Sequence, residues 1–252
     1  MSISPIGSHG VGYDNYASGY RIKTAADNPA GLSIVEKLKS QSNGYDVGTD
    51  NAAAGQDVIK VSDGALDKIT NSLQRIRELS VQASNSAIYS SDDMEAMQDE
   101  VEQLKKDIQA TAKGTEFNTK KLLDGSMADL NLATNPQGNG MTIRMADSTL
   151  ETLGIDDYDL TGNFDISKID DAIKKVSDSR SSNGAEYNAL SHVLNYNTNT
   201  SINLTSSISN MADLDYGKHI AELKKEQVMQ QYQFFMQKGI VDNAIIKQRL
   251  LL

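Results

Sequence analysis

Positions spaced alternately by four and three, most of them apolar, recur in two stretches of the chain. The first reads Ile59, Leu66, Ile69, Leu73, Ile76 and Ser80, with the polar Ser62 between its first two members. The second reads Ile169, Ile173, Val176, Arg180, Asn183, Tyr187, Leu190, Leu194, Asn197, Ser201, Leu204, Ile208 and Met211. Such spacing draws one stripe along a long helix and leaves that helix in need of a partner at the stripe. Two such stripes, one toward each end of the chain and interrupted between them, predict a mainly α protein. Its expected architecture is a long antiparallel helical bundle contributed by both chain ends.

Between the stripes the period changes. Leu130-Asn131-Leu132 and Met141-Thr142-Ile143-Arg144-Met145 alternate with period two, and the turn-rich Asn135-Pro136-Gln137-Gly138-Asn139-Gly140 separates them, which predicts a small central β-hairpin. Residues 1 to about 31 mix Gly, Ser, Tyr and Asn and read as loop or short helical pieces, closed by the boundary signal Asn28-Pro29. A helix is expected over Ala30 to Ser42, ended or bent by Asn43-Gly44, and another over Asn51 to Ser84, weakened by Gly55 and Gly64. A third runs from Ser91 to Lys113 on Met97, Val101, Leu104, Ile108 and Thr111, with Ser91, Asp92 and Asp93 able to satisfy the free amides at its start. Thr115 to Asp124 is polar, with Phe117, Leu122 and Leu123 as anchors, and Leu150, Leu153 and Ile155 anchor the connection after the hairpin. The longest helix is expected over residues 166 to 211, followed by one from Leu214 to Lys238 and a separate short one after Gly239. The organisation is therefore 1–30, 31–124 (first helices), 125–165 (hairpin and connection), 166–212 (returning helix) and 213–252 (carboxy-terminal helical segment).

Composition agrees with thin helical layers. Phe is scarce and Trp absent, so Leu, Ile, Met and Ala make most apolar contacts, and the only prolines are Pro5, Pro29 and Pro136. The formal net charge of -10, with Lys and Arg dispersed among the acids, disfavours a nucleic-acid binder. Without cysteine there are no disulfides, thiolate nucleophiles or thiolate-bound metals. No run of 18 apolar residues and no basic start followed by an apolar core occurs, so membrane insertion is not expected and any export uses a route without a cleaved signal. His9, His192 and His219 are isolated, Ser206-Ser207 lacks a nucleophile-elbow context, and Gly138-Asn139-Gly140 is too short for a phosphate loop, so neither an enzyme nor a cofactor is expected.

Several ordered motifs resemble the bacterial flagellin family. They are Ser18-Gly19-Tyr20-Arg21-Ile22 with Ala25-Ala26-Asp27-Asn28-Pro29-Ala30-Gly31-Leu32, Asp63-Gly64-Ala65-Leu66, and Leu73-Gln74-Arg75-Ile76-Arg77-Glu78-Leu79-Ser80-Val81-Gln82. Glu116-Phe117-Asn118 with Lys121-Leu122-Leu123, Ile169-Asp170-Asp171-Ala172-Ile173 and Ala212-Asp213-Leu214-Asp215 extend the likeness across most of residues 18 to 238. The resemblance implies a subunit of the extracellular flagellar filament whose end segments pair as an inner coiled coil and self-assemble in support of motility. It implies as partners other flagellin subunits, an export chaperone, and hook-filament junction or cap proteins. Residues 125 to 165 leave no room for large variable surface domains. Seventeen residues precede Ser18, fewer than the leading helix usual in that family, and they contain Gly7, Gly10 and Gly12. The alternative reading is a minor or truncated flagellin-like protein that co-assembles with a full-length one or acts as a non-polymerising binding module, cytoplasmic if that start prevents export. Leu250, Leu251 and Leu252 form a candidate assembly tail, with a frayed end as the plainer reading.

The resemblance also points to Gln74, Arg75, Glu78, Leu79 and Gln82, with Asp107 on the adjoining helix, as the patch by which the vertebrate innate immune receptor for flagellin recognises the family. Arg75 would supply a planar multidonor contact and Leu79 an apolar anchor, whereas the plainer reading is a solvated, subunit-packing face. The expected bundle core is Ile59, Leu66, Ile69, Leu73, Ile76, Val101, Leu104, Ile108, Ile169, Ile173, Val176, Leu190, Leu194, Leu204 and Ile208. Arg180, Asn183, Asn197 and Ser201 interrupt the second stripe in phase; they either set register or permit sliding between neighbouring helices, or they face solvent where the helix leaves the bundle. On the first reading, Asn197→Leu alters bundle register or filament form.

Overall fold

The computed structural model describes residues 18–85, 88–127 and 129–250, and the side chains of these except 240–250. The elements in order are α1 (Pro29–Ala83), α2 (Ser91–Gly114), β1 (Glu116–Phe117), β2 (Lys120–Lys121), β3 (Asp129–Ala133), β4 (Gly140–Arg144), α3 (Leu150–Leu153), α4 (Ile166–Ala212) and α5 (Tyr216–Leu250). The fold is mainly helical with two small antiparallel hairpins, β1–β2 and β3–β4. The described residues form two compact units: one contains Gln41–Ile202, the other the residues up to Ser40 with those from Asn203 onward.

The start of α1 is set by its sequence. The Asn28 side chain accepts from the Gly31 amide at 2.8 Å, Pro29 occupies the first helical position, and the Asp27 carboxylate accepts from the Lys23 and Thr24 amides at 3.0 and 2.8 Å. The helix then continues through Asn43-Gly44 without the expected break and absorbs what reads as two helices into one. The reason lies in the hairpin packed on it. A Cβ on Gly44 would lie 2.7 Å from Pro136, on Gly48 2.5 Å from the Thr134 carbonyl oxygen, and on Gly55 2.3 Å from Leu132. These glycines make room for the hairpin, for its loop proline at Gly44, its backbone at Gly48 and its Leu132 side chain at Gly55, and the packing outweighs their cost to the helix, about 1 kcal/mol each.

In the larger unit, Leu66, Ile69, Leu73 and Ile76 of α1 are fully buried together with Val101 and Ile108 of α2 and Ile169, Ala172 and Val176 of α4. Ile59 and Leu190 join this core, and Leu104, Ile173 and Leu194 pack half-buried against it. Leu204 and Ile208, in the smaller unit, are half-buried. The cap of α2 is Ser90, one residue earlier than expected. Its hydroxyl accepts from the Asp93 amide while Asp93 accepts from the Ser90 amide, a reciprocal capping box that holds the Asp93 carboxyl below its usual range.

Residues 116–121 close a second hairpin that the polar composition of this stretch conceals. Its two-residue turn places Asn118 and Thr119 at φ of 47° and 66°. Two positive φ values at the turn centre match the twist of the strands, and Asn tolerates that geometry far better than a β-branched Thr. The β3–β4 hairpin forms where the alternation places it, pairing Leu130 with Ile143 and Leu132 with Met141. The connection behind it is pinned by buried Leu150, Leu153, Ile155, Tyr158 and Leu160. Polar contacts add to this: Gln109 and Gln98 accept from the Leu150 and Leu160 amides, and buried Lys105 donates to the Tyr158 carbonyl. The last helix runs through Gly239 as one element rather than two.

The same substitution at two glycines of α1 has opposite expected effects. Gly64→Ala meets nothing within 4 Å and stabilises by up to about 1 kcal/mol. Gly48→Ala drives a Cβ into the Thr134 backbone and destabilises by about 1–2 kcal/mol despite the better helix former. Urea unfolding of the two variants reads the signs directly. In the turn, Thr119→Gly relieves the left-handed Thr and adds about 1 kcal/mol in the same measurement.

Candidate functional site

The structure divides the sequence-predicted residues into a seam, a surface face and a terminal helix. In the larger unit, α1 and α4 run antiparallel, and successive polar groups of α1 that reach α4 find their partners progressively earlier in it. Ser201 donates to Asp46 at 2.6 Å and lies 3.0 Å from the Ser42 hydroxyl; Gln56 donates to Ser191 at 2.8 Å; Asn183 donates to Ser62 at 3.3 Å. Arg180 forks over Asp63 and Asp67 at 2.9 and 2.8 Å, and Arg77 reaches Asp170 at 2.6 Å. The polar members of the second stripe therefore turn inward and pair, and the solvent-facing reading of them is overturned: Asn183, Asn197 and Ser201 are buried. Burial without partners would cost each group about 1–3 kcal/mol, so the pairing is what makes their place in the seam tolerable.

The β3–β4 hairpin is held to both helices through consecutive carbonyls. Asn51 of α1 donates to the Ala133 oxygen at 2.8 Å, and Asn197 of α4 donates to the Thr134 oxygen at 2.8 Å. On the opposite strand the Arg144 amide donates to Glu186 of α4 at 3.2 Å. These contacts cap edge groups that would otherwise be open to strand addition. The second carboxylate oxygen of Glu186 is buried without a hydrogen-bond partner, and burial pushes the Glu186 carboxyl above its ordinary value. Sequence reasoning does not single out Gln56, Asn51 or Glu186. The legible signal for the docking face is the recurrence of Gly44, Gly48 and Gly55 on one side of a helix.

On the surface face, Gln74, Arg75, Glu78 and Gln82 are exposed along α1, and Asp107 is exposed on α2. Arg75 is engaged within the bundle, bidentate to Glu100 of α2 at 2.7 and 3.2 Å and bonded to Glu78 at 3.1 Å. Leu79 is not an exposed anchor. It is 2 % exposed because it follows Ile76 by three positions and turns with the stripe into the core beside Ser80 and Ala83. The Ser80 hydroxyl donates to the Ile76 carbonyl and accepts from Tyr158, so the inner side of this motif is committed to the connection behind the hairpin.

In the smaller unit, two separated motifs meet. The Arg21 amide donates to the Ala212 oxygen at 2.6 Å, the Leu214 amide donates to the Gly19 oxygen at 2.9 Å, and Tyr20 bridges Asp213. Beyond this joint, α5 interleaves lysine, glutamate and glutamine with exposed apolar side chains: Val228, Met229, Tyr232, Phe234, Phe235 and Met236 are all between 50 and 68 % exposed. Leu250 ends α5, its side chain outside the described ones, and Leu251 and Leu252 lie outside the described residues. Among the described residues no group of three His, Asp or Glu could hold a metal ion, and no helix is long and apolar enough to cross a membrane.

Comparison with known proteins gives two family matches in chain order: the bacterial flagellin N-terminal helical region over residues 14–128 and the bacterial flagellin C-terminal helical region over residues 166–238. A flagellin of Halalkalibacterium halodurans is 33% identical over 225 residues, covering 86% of this chain and 82% of the relative. A flagellin of Bacillus subtilis is 31% identical, covering 86% and 84%. The crystal structure of Bacillus cereus flagellin superimposes with a TM-score of 0.50 at 30% identity, covering 59% of this chain and 86% of that one.

The Glu186 carboxyl yields a signed pH prediction. Its raised value in the fold means that the folded state holds the proton more tightly than the unfolded state. Stability from this group is complete below the ordinary carboxylate range and is lost as pH rises through the raised value. Glu186→Gln removes that loss and raises Tm at pH 7 by roughly 2–4 °C, the equivalent of about 1 kcal/mol. The difference between variant and parent shrinks as pH falls below the ordinary carboxylate value, which paired thermal melts at pH 7 and pH 3.5 measure.

Proposed function

The chain belongs to the bacterial flagellin family, and on that premise we propose that it is a structural subunit of the extracellular flagellar filament, polymerising through its terminal helical segments in support of motility. The observation that carries this reading is α5. A helix that leaves six large apolar side chains exposed between Val228 and Met236 is suited to burial against other chains rather than to an isolated surface. The self-paired seam of the larger unit supplies the complementary property, since its buried Ser42, Ser62, Asn183 and Ser201 already have partners across the helix pair.

Other flagellin subunits are the primary partners in this proposal, with an export chaperone and hook-filament junction or cap proteins following from family membership. The exposed Gln74, Arg75, Glu78 and Gln82 face is the proposed subunit-contact surface and the surface offered to a vertebrate innate immune receptor. With Leu79 buried, such contacts are polar and use a guanidinium already oriented by Glu100.

Cryo-electron microscopy of a purified assembly reaction, with and without a second flagellin, tests the function. Long filaments of the purified protein support self-assembly. Entry into filaments only beside the second flagellin supports co-assembly, and persistent monomers in both arms reject the filament reading. The paired variant Phe234→Ser and Phe235→Ser separates assembly from folding. Each aromatic buried at an interface contributes about 1.5–3 kcal/mol, so the critical concentration for growth rises at least about tenfold. The cooperative unfolding of the larger unit, followed by circular dichroism, stays unchanged.

A further inference from the structure

Beside the single contacts Gln56–Ser191 and Arg77–Asp170, the α1–α4 seam contains two sets of polar contacts that respond differently to sliding. Arg180 binds Asp63 and Asp67, which are one helical turn apart, and Ser201 lies against both Ser42 and Asp46, also one turn apart. If α4 moved by one turn along α1 in either direction, about 5.4 Å, each would still face one of its present partners. The apolar stripe is equally undiscriminating. Between Leu66 and Ile76 its four-and-three repeat brings another apolar residue of α1 into the place of the last one, and burial is non-directional.

Asn183 and Asn197 behave otherwise. The Asn183 amide meets Ser62, and the α1 residues one turn to either side of Ser62 are Val58 and Leu66, both buried and apolar. A one-turn shift would leave the amide buried without a partner. The Asn197 amide meets the Thr134 oxygen, while Asn51 of α1 holds the adjacent Ala133 oxygen of the same strand. A shift of either helix therefore breaks one end of a clip that spans both helices through the hairpin.

We propose that Asn183 and Asn197 are register-determining residues that lock the α1–α4 pair in one axial position, while the Arg180 ion pairs and the apolar stripe hold the helices together without choosing among positions. Buried amides thus set a discrete alignment at a cost in stability, by the logic of a single polar residue at a helix–helix seam. This assignment concerns the helix pair itself and stands or falls separately from filament assembly.

The absence of cysteine allows the test to be made on the full chain with spin labels at two introduced cysteines, Val61→Cys and Asn199→Cys, both at exposed positions. Their separation lies largely along the helix axes, so double electron–electron resonance reads sliding directly. The parent shows one distance. The combination Ser62→Ala, Asn183→Leu and Asn197→Ala adds a population displaced by about 5 Å, and Arg180→Gln leaves the single parental distance. Should the triple variant fail to retain parental helical circular dichroism, the milder Asn183→Ala with Asn197→Ala shows the displaced population at a smaller share. A single parental distance in the folded amide variants, or a displaced population in Arg180→Gln, overturns the assignment.

Discussion

The antiparallel pairing of α1 with α4 is the constraint on which the larger unit depends. Isolated helices draw little net stability from their own hydrogen bonds and need a buried face. Along α1 that face changes chemistry. From Leu66 to Ile76 it is apolar and shared with α2 and the start of α4. Toward Ser42 polar groups enter it, and Ser42, Asp46, Gln56 and Ser62 find partners on α4, with the hairpin packed where the glycines leave space. The apolar end supplies hydrophobic burial; the polar end supplies direction, since a hydrogen bond has a geometry that apolar contact lacks.

Sequence alone exposes the stripes, the Asn28-Pro29 boundary, the β3–β4 alternation and the anchoring of the connection at Leu150, Leu153 and Ile155, because each is a local pattern with a local cause. The departures arise where tertiary contact reverses a local preference. Gly44 reads as a helix stop, yet it lies inside α1 because Pro136 needs the space a side chain would take. Leu79 is placed in a surface patch by the family resemblance, yet the helical phase carries it into the core. Asn183, Asn197 and Ser201 read either way, since a polar residue in an apolar stripe faces solvent or a partner, and the partners lie more than 60 residues away in the chain. The turn at Asn118-Thr119 is concealed for the opposite reason: Thr is a poor residue for positive φ, so the local signal argues against the geometry adopted.

The motifs that carry the family likeness divide by physical task. Asp27 and Asn28 close the chain onto its own amides and launch α1, while Gly19 to Ile22 exchange backbone hydrogen bonds with Ala212 and Leu214. Those residues form joints. The Arg75 segment has two sides: Ile76, Leu79 and Ser80 face the core, and Gln74, Arg75 and Glu78 face outward with Arg75 steadied by Glu100. A sequence motif of this kind mixes packing and contact residues in one string, and only the helical phase separates them.

That separation bears on how a filament subunit can be both stiff and able to assemble. Polar groups paired inside a seam offer little to a neighbour, because any new contact must first replace one already made. Exposed apolar groups behave in the opposite way, since covering them displaces water and requires no exchange of partners. Here the seam of the larger unit holds the first kind, and α5 carries the second in Tyr232, Phe234, Phe235 and Met236. On the proposed filament reading, changes on α5 act chiefly on association, whereas changes at Asn183, Asn197 or the glycine track act on the shape of the subunit that associates.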